Sequence, residues 1–196
     1  TWAWDADNEL YSQTIIDTGT LGATYESRTG LSELLDNISV KYGISAEIDG
    51  YLFAGRCSHN KIDNAANLIF RSKPGRFSTF DYVNDTLQLK STPTAMAHFM
   101  GRLYVFDKYN IYRVNQETLV IEDIYEGIGC SSHQSWVVTE YGMFFADKHG
   151  VYMHNGKAAK VISTPIYSTD NTDLTNFTWD SISTSLETTP PKLAFD

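Results

Sequence analysis

The sequence predicts an all-β chain made of antiparallel four-stranded repeats, and three observations point there. A stretch of thirteen residues recurs without a gap at an offset of 40. The segments inside each copy are short, rich in Val, Ile, Tyr and Phe, and bounded by Gly, Asn and Asp, as strands and their turns are. The composition is that of a folded domain: 42% hydrophobic, 13% aromatic and 20% charged over 196 residues, enough to bury a core.

The repeat sets Leu103-Tyr104-Val105-Phe106-Asp107-Lys108-Tyr109-Asn110-Ile111-Tyr112-Arg113-Val114-Asn115 over Met143-Phe144-Phe145-Ala146-Asp147-Lys148-His149-Gly150-Val151-Tyr152-Met153-His154-Asn155. Asp107/Asp147, Lys108/Lys148, Tyr112/Tyr152 and Asn115/Asn155 are identical, and the register continues upstream to Ala95–Phe99 over Ser135–Thr139. A degenerate earlier copy pairs Tyr51-Leu52-Phe53-Ala54, after Asp49-Gly50, with residues 67–72. Between them a loop at 56–66 is about nine residues longer than its later counterparts and carries Cys57, His59 and Asp63.

Taken in chain order, residues 1–43 form an N-terminal segment. Trp2 and Trp4 alternate as strand residues do, residues 11–17 and 21–25 look like isolated strands, and 30–36 suits a short helix capped by Ser32. Residues 44–163 hold the repeats, divided at about 44–90, 91–129 and 130–163. In the last of them four strands are expected, at about 135–139, 143–146, 151–154 and 158–162. Asp147-Lys148-His149-Gly150 has the type I pattern, with Asn110 replacing the glycine in the copy before as a residue tolerant of left-handed backbone. Asn155-Gly156 is the preferred type I′ pair. Residues 164–196, rich in Thr, Ser and Asp and containing Pro190-Pro191, read as an extended C-terminal arm or linker.

A four-stranded unit of about 40 residues has the size of one β-propeller blade. Such a sheet cannot cover both faces alone, so blades stack on one another. Three are countable where a closed ring usually takes at least four, and the chain opens on Thr1. The sequence is therefore expected to be part of a larger chain, with missing strands supplied by residues 1–43 or by sequence outside it.

Composition also narrows function. Acids outnumber bases by 24 to 15, a net charge of −9, which argues against a broad phosphate-binding face. No apolar run approaches the roughly 18 to 20 residues of a membrane span. Cys57 and Cys130 belong to no Cys-x-x-Cys pair, so zinc and thiol-redox chemistry lack their usual spacing. The sequons at Asn37, Asn84 and Asn176 are about as many as chance supplies and do not argue for secretion.

Each candidate for chemistry has a plainer reading. Asp107 and Asp147, at matched turns, are where a glycosidase would want two carboxylates, but Asp in a turn ordinarily accepts hydrogen bonds from its own backbone. Asp147, His149 and His154 suggest a metal cluster, yet a strand-turn-strand element need not converge them. Gly127-Ile128-Gly129-Cys130-Ser131-Ser132-His133 is the nearest thing to a nucleophile site, and equally a glycine-rich lead-in to a blade. There is no Gly-x-Ser-x-Gly elbow, phosphate-binding loop or Asp-box, and Trp179-Asp180 stands outside the repeats. The expectation is no catalytic residue, no cofactor and no metal.

The run Gly127-Ile128-Gly129-Cys130, Ser135–Thr139, Tyr141–Ala146, Asp147–Tyr152 and Asn155-Gly156 to Ser163, with Gly101–Asp107 and Ile111-Tyr112 before it, is similar to propeller-like segments of bacteriophage virion proteins. The closest type is the tail nozzle (tail tubular protein B) and the packaged-DNA stabilisation proteins of short-tailed phages. The match covers about residues 51–163. The resemblance implies a non-enzymatic structural role in the virion tail or neck. Copies of the chain, a homo-oligomer with other tail or neck proteins as partners, would form a ring or tube for DNA ejection without reading base sequence. An acidic lumen would repel phosphate and let DNA slide. The alternative is a glycan-binding or glycoside-hydrolysing β-propeller using aromatic platforms and Asp107 or Asp147.

Overall fold

The computed structural model describes residues 3–5, 10–12, 40–60, 62–163 and 190–194. These residues form an all-β fold of antiparallel sheets, with one short 3-10 turn at Ala65–Asn67. The expected helix at 30–36 and strand at 21–25 lie outside the described residues. Strand β1 (Ala3–Asp5) pairs antiparallel with β2 (Leu10–Ser12), so the described part of the strand expected at 11–17 is paired and not isolated, and the rest of it lies outside the described residues.

The two later repeats are four-stranded meanders whose strands follow chain order. One contains β10 (Ala95–Phe99), β11 (Arg102–Phe106), β12 (Asn110–Asn115) and β13 (Val120–Glu126). The next contains β14 (Trp136–Thr139), β15 (Gly142–Ala146), β16 (Val151–His154) and β17 (Ala159–Val161), within a residue or two of the expected four. The register is equivalent too: Val105 faces Tyr112 in one sheet and Phe145 faces Tyr152 in the other.

The first repeat has the same plan with its outer position divided. Strand β4 (Ile44–Ile48) pairs with β5 (Tyr51–Gly55), and β5 with β7 (Leu68–Lys73). Beyond β7 the outer place is shared: β8 (Arg76–Phe80) pairs with the end of β7, and β9 (Thr86–Gln88) with its beginning. The turn between β8 and β9 is held by Asp81, which accepts from the Val83 and Asn84 amides. Asp85 then receives the Arg71 guanidinium and, at 2.5 Å, the Lys73 ammonium.

Alternation along the strands explains why the sheets stack. In the middle repeat, Met96, Leu103, Val105, Tyr112 and Val114 face the first repeat, where Ile44, Ile48, Phe53, Ile69 and Leu89 meet them. The intervening residues Ala95, Ala97, Phe99, Tyr104, Phe106 and Ile111 face the third repeat and pack on Met143, Phe145 and Tyr152. The middle sheet is thus apolar on both faces, which a sheet needs only when covered on both. Phe106 and Phe145 meet with ring centroids 5.3 Å apart.

The long loop at 56–66 solves the same problem at one end of the stack. Its β6 (Ser58–His59) pairs with β3 (Val40–Lys41), and Cys57 and Ala65 pack with Ala54, Phe70 and Tyr82. The insertion is a lid over the outer face of the first sheet. Deleting residues 57–66 with a short Gly linker is expected to expose Ala54 and Phe70, lowering the midpoint of thermal unfolding and raising dye binding to apolar surface.

Two turn assignments need correction. Asn110 does not have a positive φ; it instead donates its side-chain amide to the Asp107 carboxylate. The hairpin at Asn155 centres on Gly156 and Lys157, with φ positive at Gly156 alone, because Asn155 N–H bonds to the Ala158 carbonyl and the Asn155 side chain accepts from the Lys157 and Ala158 amides. The type I′ signature of two successive positive φ values belongs to Asp49-Gly50 and Met100-Gly101, which close the β4–β5 and β10–β11 hairpins.

Candidate functional site

The repeated Asp-Lys turns lie at one end of the stacked sheets and define the candidate site. Each Asp is placed by the end of a central strand and folds its carboxylate back onto the turn it begins. Asp107 Oδ1 accepts from the amides of Tyr109 and Asn110, both at 2.6 Å. Asp107 Oδ2 accepts from the Ser91 hydroxyl at 2.6 Å and the Tyr112 hydroxyl at 2.9 Å. Asp147 repeats the main-chain part, accepting from the His149 and Gly150 amides at 2.6 and 3.0 Å.

Both carboxylates are buried. Burial by itself raises the Asp107 pKa, but the hydrogen bonds from Ser91, Asn110, Tyr109 and Tyr112 outweigh it and hold the carboxyl below its ordinary value. Burial and the bond to Asp107 push the Tyr112 phenol up to about 12. An anion with its lone pairs occupied by five donors is a poor proton donor and a poor nucleophile.

The Gly127–His133 segment bolts the second repeat to the third. Gly129 passes so close to the Asp107 turn that a Cβ on it would sit 2.3 Å from the Asp107 carbonyl oxygen. That approach lets the Cys130 amide donate to the same carbonyl at 3.0 Å. Thr94 Oγ1 donates to the Cys130 carbonyl at 2.6 Å. The Cys130 thiol is buried, donates toward the Ser132 and Ser135 carbonyls, and is pushed by burial up to about 12. His133 faces a different hollow, with Tyr42, Gly43 and Trp136, so thiol and imidazole do not form a dyad. Cys57 is likewise raised by burial to about 12, and both cysteines are unpaired thiols. Each is expected to react with a water-soluble thiol reagent at least about 100-fold more slowly in the folded protein than in denaturant, as a time course of labelling would show.

His154 lies at the other end of β16 from Asp147 and is fully buried. Its Nδ1 accepts from the Gly156 amide at 2.9 Å, while Tyr104 and Tyr125 meet its ring edge-on at 5.3 and 4.8 Å. His149 is exposed. Among the described residues no group of three His, Cys, Asp or Glu is placed to hold a metal ion.

Burial, with the nearby Arg113 charge, lowers the His154 pKa from 6.5, the Asp123 charge opposing. Its stabilising contribution is therefore complete above about pH 6.5 and is lost as pH falls from there through the lowered folded value. His59, also lowered by burial, adds in the same direction. Thermal midpoints measured from pH 7.5 to 5 should fall, and His154→Phe should flatten part of that slope.

Two hollows complete the description. At the turn end a cavity of about 240 Å³ is lined by Lys108, Tyr109, Cys130, Ser131, Asp147, Lys148 and Pro190; Lys148 Nζ sits 5.7 Å above the Tyr109 ring. Along the first strands of the three repeats, β4, β10 and β14, an open trough of about 530 Å³ is lined by residues including Glu47, Met96, His98 and Trp136. Thr94 and Ser135, which help fix the turn end, stand opposite unlike residues at the offset of 40, Gln134 and Ala95, whereas Ser91 matches Ser131. Tyr112, which donates to Asp107, is one of the four identical repeat positions.

No protein-family model matches the chain, and no curated protein matches it in sequence. Solved structures match part of its backbone. One, described as the AfRom2 CNH domain, is 13% identical with a TM-score of 0.40, the match covering 69% of this chain and 38% of that one. The chain thus spans well under half the length of that structure. Among the described residues no helix is long and apolar enough to cross a membrane.

Proposed function

We propose that this chain is a non-enzymatic structural module of a phage tail or neck, made of propeller-type blades and working through protein–protein contacts in a symmetric oligomer. The observation that carries this reading is the use made of the repeated residues. Asp107, Asp147, Asn115 and Asn155 each take up the amides of their own turn, and the Asp107 turn is then bolted to the next blade through the Cys130 amide. What the repeat preserves is blade construction. The net charge of −9 supports a second part of the reading, a ring or tube whose wall lets DNA pass without holding it.

Mass measurement in solution with electron microscopy of the particle tests this. A ring, or a copy located in a virion tail, is the expected result; a monomer at all concentrations contradicts it. A lumen lined mainly by Lys and Arg contradicts the DNA-passage part. Asp147→Asn with a panel of glycan substrates addresses the alternative: a glycosidase activity lost in a folded variant replaces the structural reading.

A further inference from the structure

The chain returns to the turn end of the blades as an extended segment, residues 190–194, laid along the residues that lead into β14. The Leu193 amide donates to the Gln134 carbonyl at 2.9 Å. Two residues earlier, the Pro191 carbonyl accepts from the Ser135 hydroxyl at 2.5 Å. A carbonyl and the amide two residues on share one edge of an extended segment, so this is strand-like addition to a ready edge.

With the arm in place Ser135 is fully buried. Its hydroxyl gives its proton to the Pro191 carbonyl, and the Ser132 hydroxyl lies 2.9 Å from the Ser135 oxygen. A Pro-Pro pair suits the site because it is held extended in advance and has no amide hydrogen to leave unpaired. Pro190 closes one wall of the cavity beside Tyr109 and Lys148.

The same bonds can form within one chain or between two. They involve main-chain groups, a proline ring and one hydroxyl, none of which depends on where the arm begins. Ser163, where the third blade ends, is anchored at this same end by the bond its hydroxyl oxygen accepts from the Val151 amide. From there 26 residues lead to Pro190, a tether able to span up to roughly 85 Å. The blade region itself, at about 120 residues, is a globule roughly 35 Å across. The tether therefore reaches well past its own body to a neighbour's groove.

From these features we infer that the groove at Gln134–Ser135 receives the Pro190–Ala194 segment of a second copy of this chain, so that copies are stitched together by exchanged arms. Exchange of an identical segment costs little, because the neighbour's arm restores each hydrogen bond that the chain's own arm gives up. The inference rests on the oligomeric reading above and supplies its point of attachment.

Gln134 and Lys192 both have exposed side chains, which allows a direct test. Full-length Gln134→Cys and Lys192→Cys chains are mixed, assembled together and treated with a short bis-maleimide, with the native particle mass measured in parallel. Covalent heterodimer, reduced several-fold when Ser135→Ala is added to the Gln134→Cys chain, is the expected result. No heterodimer, with a Gln134→Cys, Lys192→Cys double variant linking only within itself, overturns the exchange. If the particle is still oligomeric in that case, the exchange alone falls and assembly runs through another surface. If it is monomeric, the oligomeric reading falls with it. Absence of cross-links in both preparations overturns the groove itself as the arm's seat.

Discussion

Asp107→Ala is expected to cost about 4 kcal/mol of folding stability, lowering the thermal midpoint by about 10 °C. The substitution strips the acceptor from the Ser91 and Tyr112 hydroxyls, the amides of Tyr109 and Asn110 and the Asn110 side chain at once. Water cannot reach all of these donors, because Asp107 is fully buried, and a buried donor without a partner carries its full desolvation cost. Asp147→Ala should cost less, since its carboxylate carries two main-chain bonds where Asp107 carries a network. The Asp107 effect also has a pH signature. Its folded pKa is lowered from 3.8, so its contribution is complete above that value and disappears as pH falls through the folded one. Stability curves of wild type and Asp107→Ala should therefore converge in acid. Equal stability of the two proteins at pH 7 would mean that the turn network does not form.

Gly129→Ala is the second large effect, by a different mechanism. The added methyl would stand 2.3 Å from the Asp107 carbonyl oxygen and 2.4 Å from the Lys108 carbonyl carbon, and both are main chain, which cannot rotate aside. The Gly129 segment and the Asp107 turn must part, taking the Cys130–Asp107 bond with them, at a cost of roughly 3 kcal/mol or more. Gly101→Ala is the control. No atom lies within 4 Å of its added methyl, but φ is +68°, so it should cost only about 1 kcal/mol through backbone conformation. A Gly129→Ala protein as stable as Gly101→Ala would contradict the close passage of the segment leading into the third repeat against the Asp107 turn. Denaturant melts of the two variants side by side give the comparison.

What could be read from the sequence is what repeats. Residues 103–115 and 143–155 announce their common form because identical residues meet identical local demands: Asp107 and Asp147 hold turn amides, and so do Asn115 and Asn155. Alternation in residues 95–99 and 103–106 likewise separates the two buried faces of the middle sheet. Features with a single long-range cause were not legible. The lid over the first sheet looks like a polar loop until Cys57 and Ala65 are seen beneath it. The divided outer strand follows from the Asp81 turn and the Arg71–Lys73–Asp85 cluster, whose members carry no periodic signal. At the candidate site, Ser91 and Thr94 act on residues 16 and 36 positions away, and Ser135 meets Pro191 from 56 away. Turn type failed at Asn155 for a local reason: its side chain claims the following amides, moving the turn one residue onward.

Everything here depends on successive small sheets lying against one another, the ring of Phe106 touching that of Phe145 and Tyr104 standing against His154. Proton–proton Overhauser contacts between selectively labelled aromatic rings read those distances directly in solution. Strong cross-peaks between Phe106 and Phe145, and between Tyr104 and His154, are the expected result. Their absence in a folded protein, with each of these rings seeing only its own hairpin, would contradict the stacked-sheet architecture.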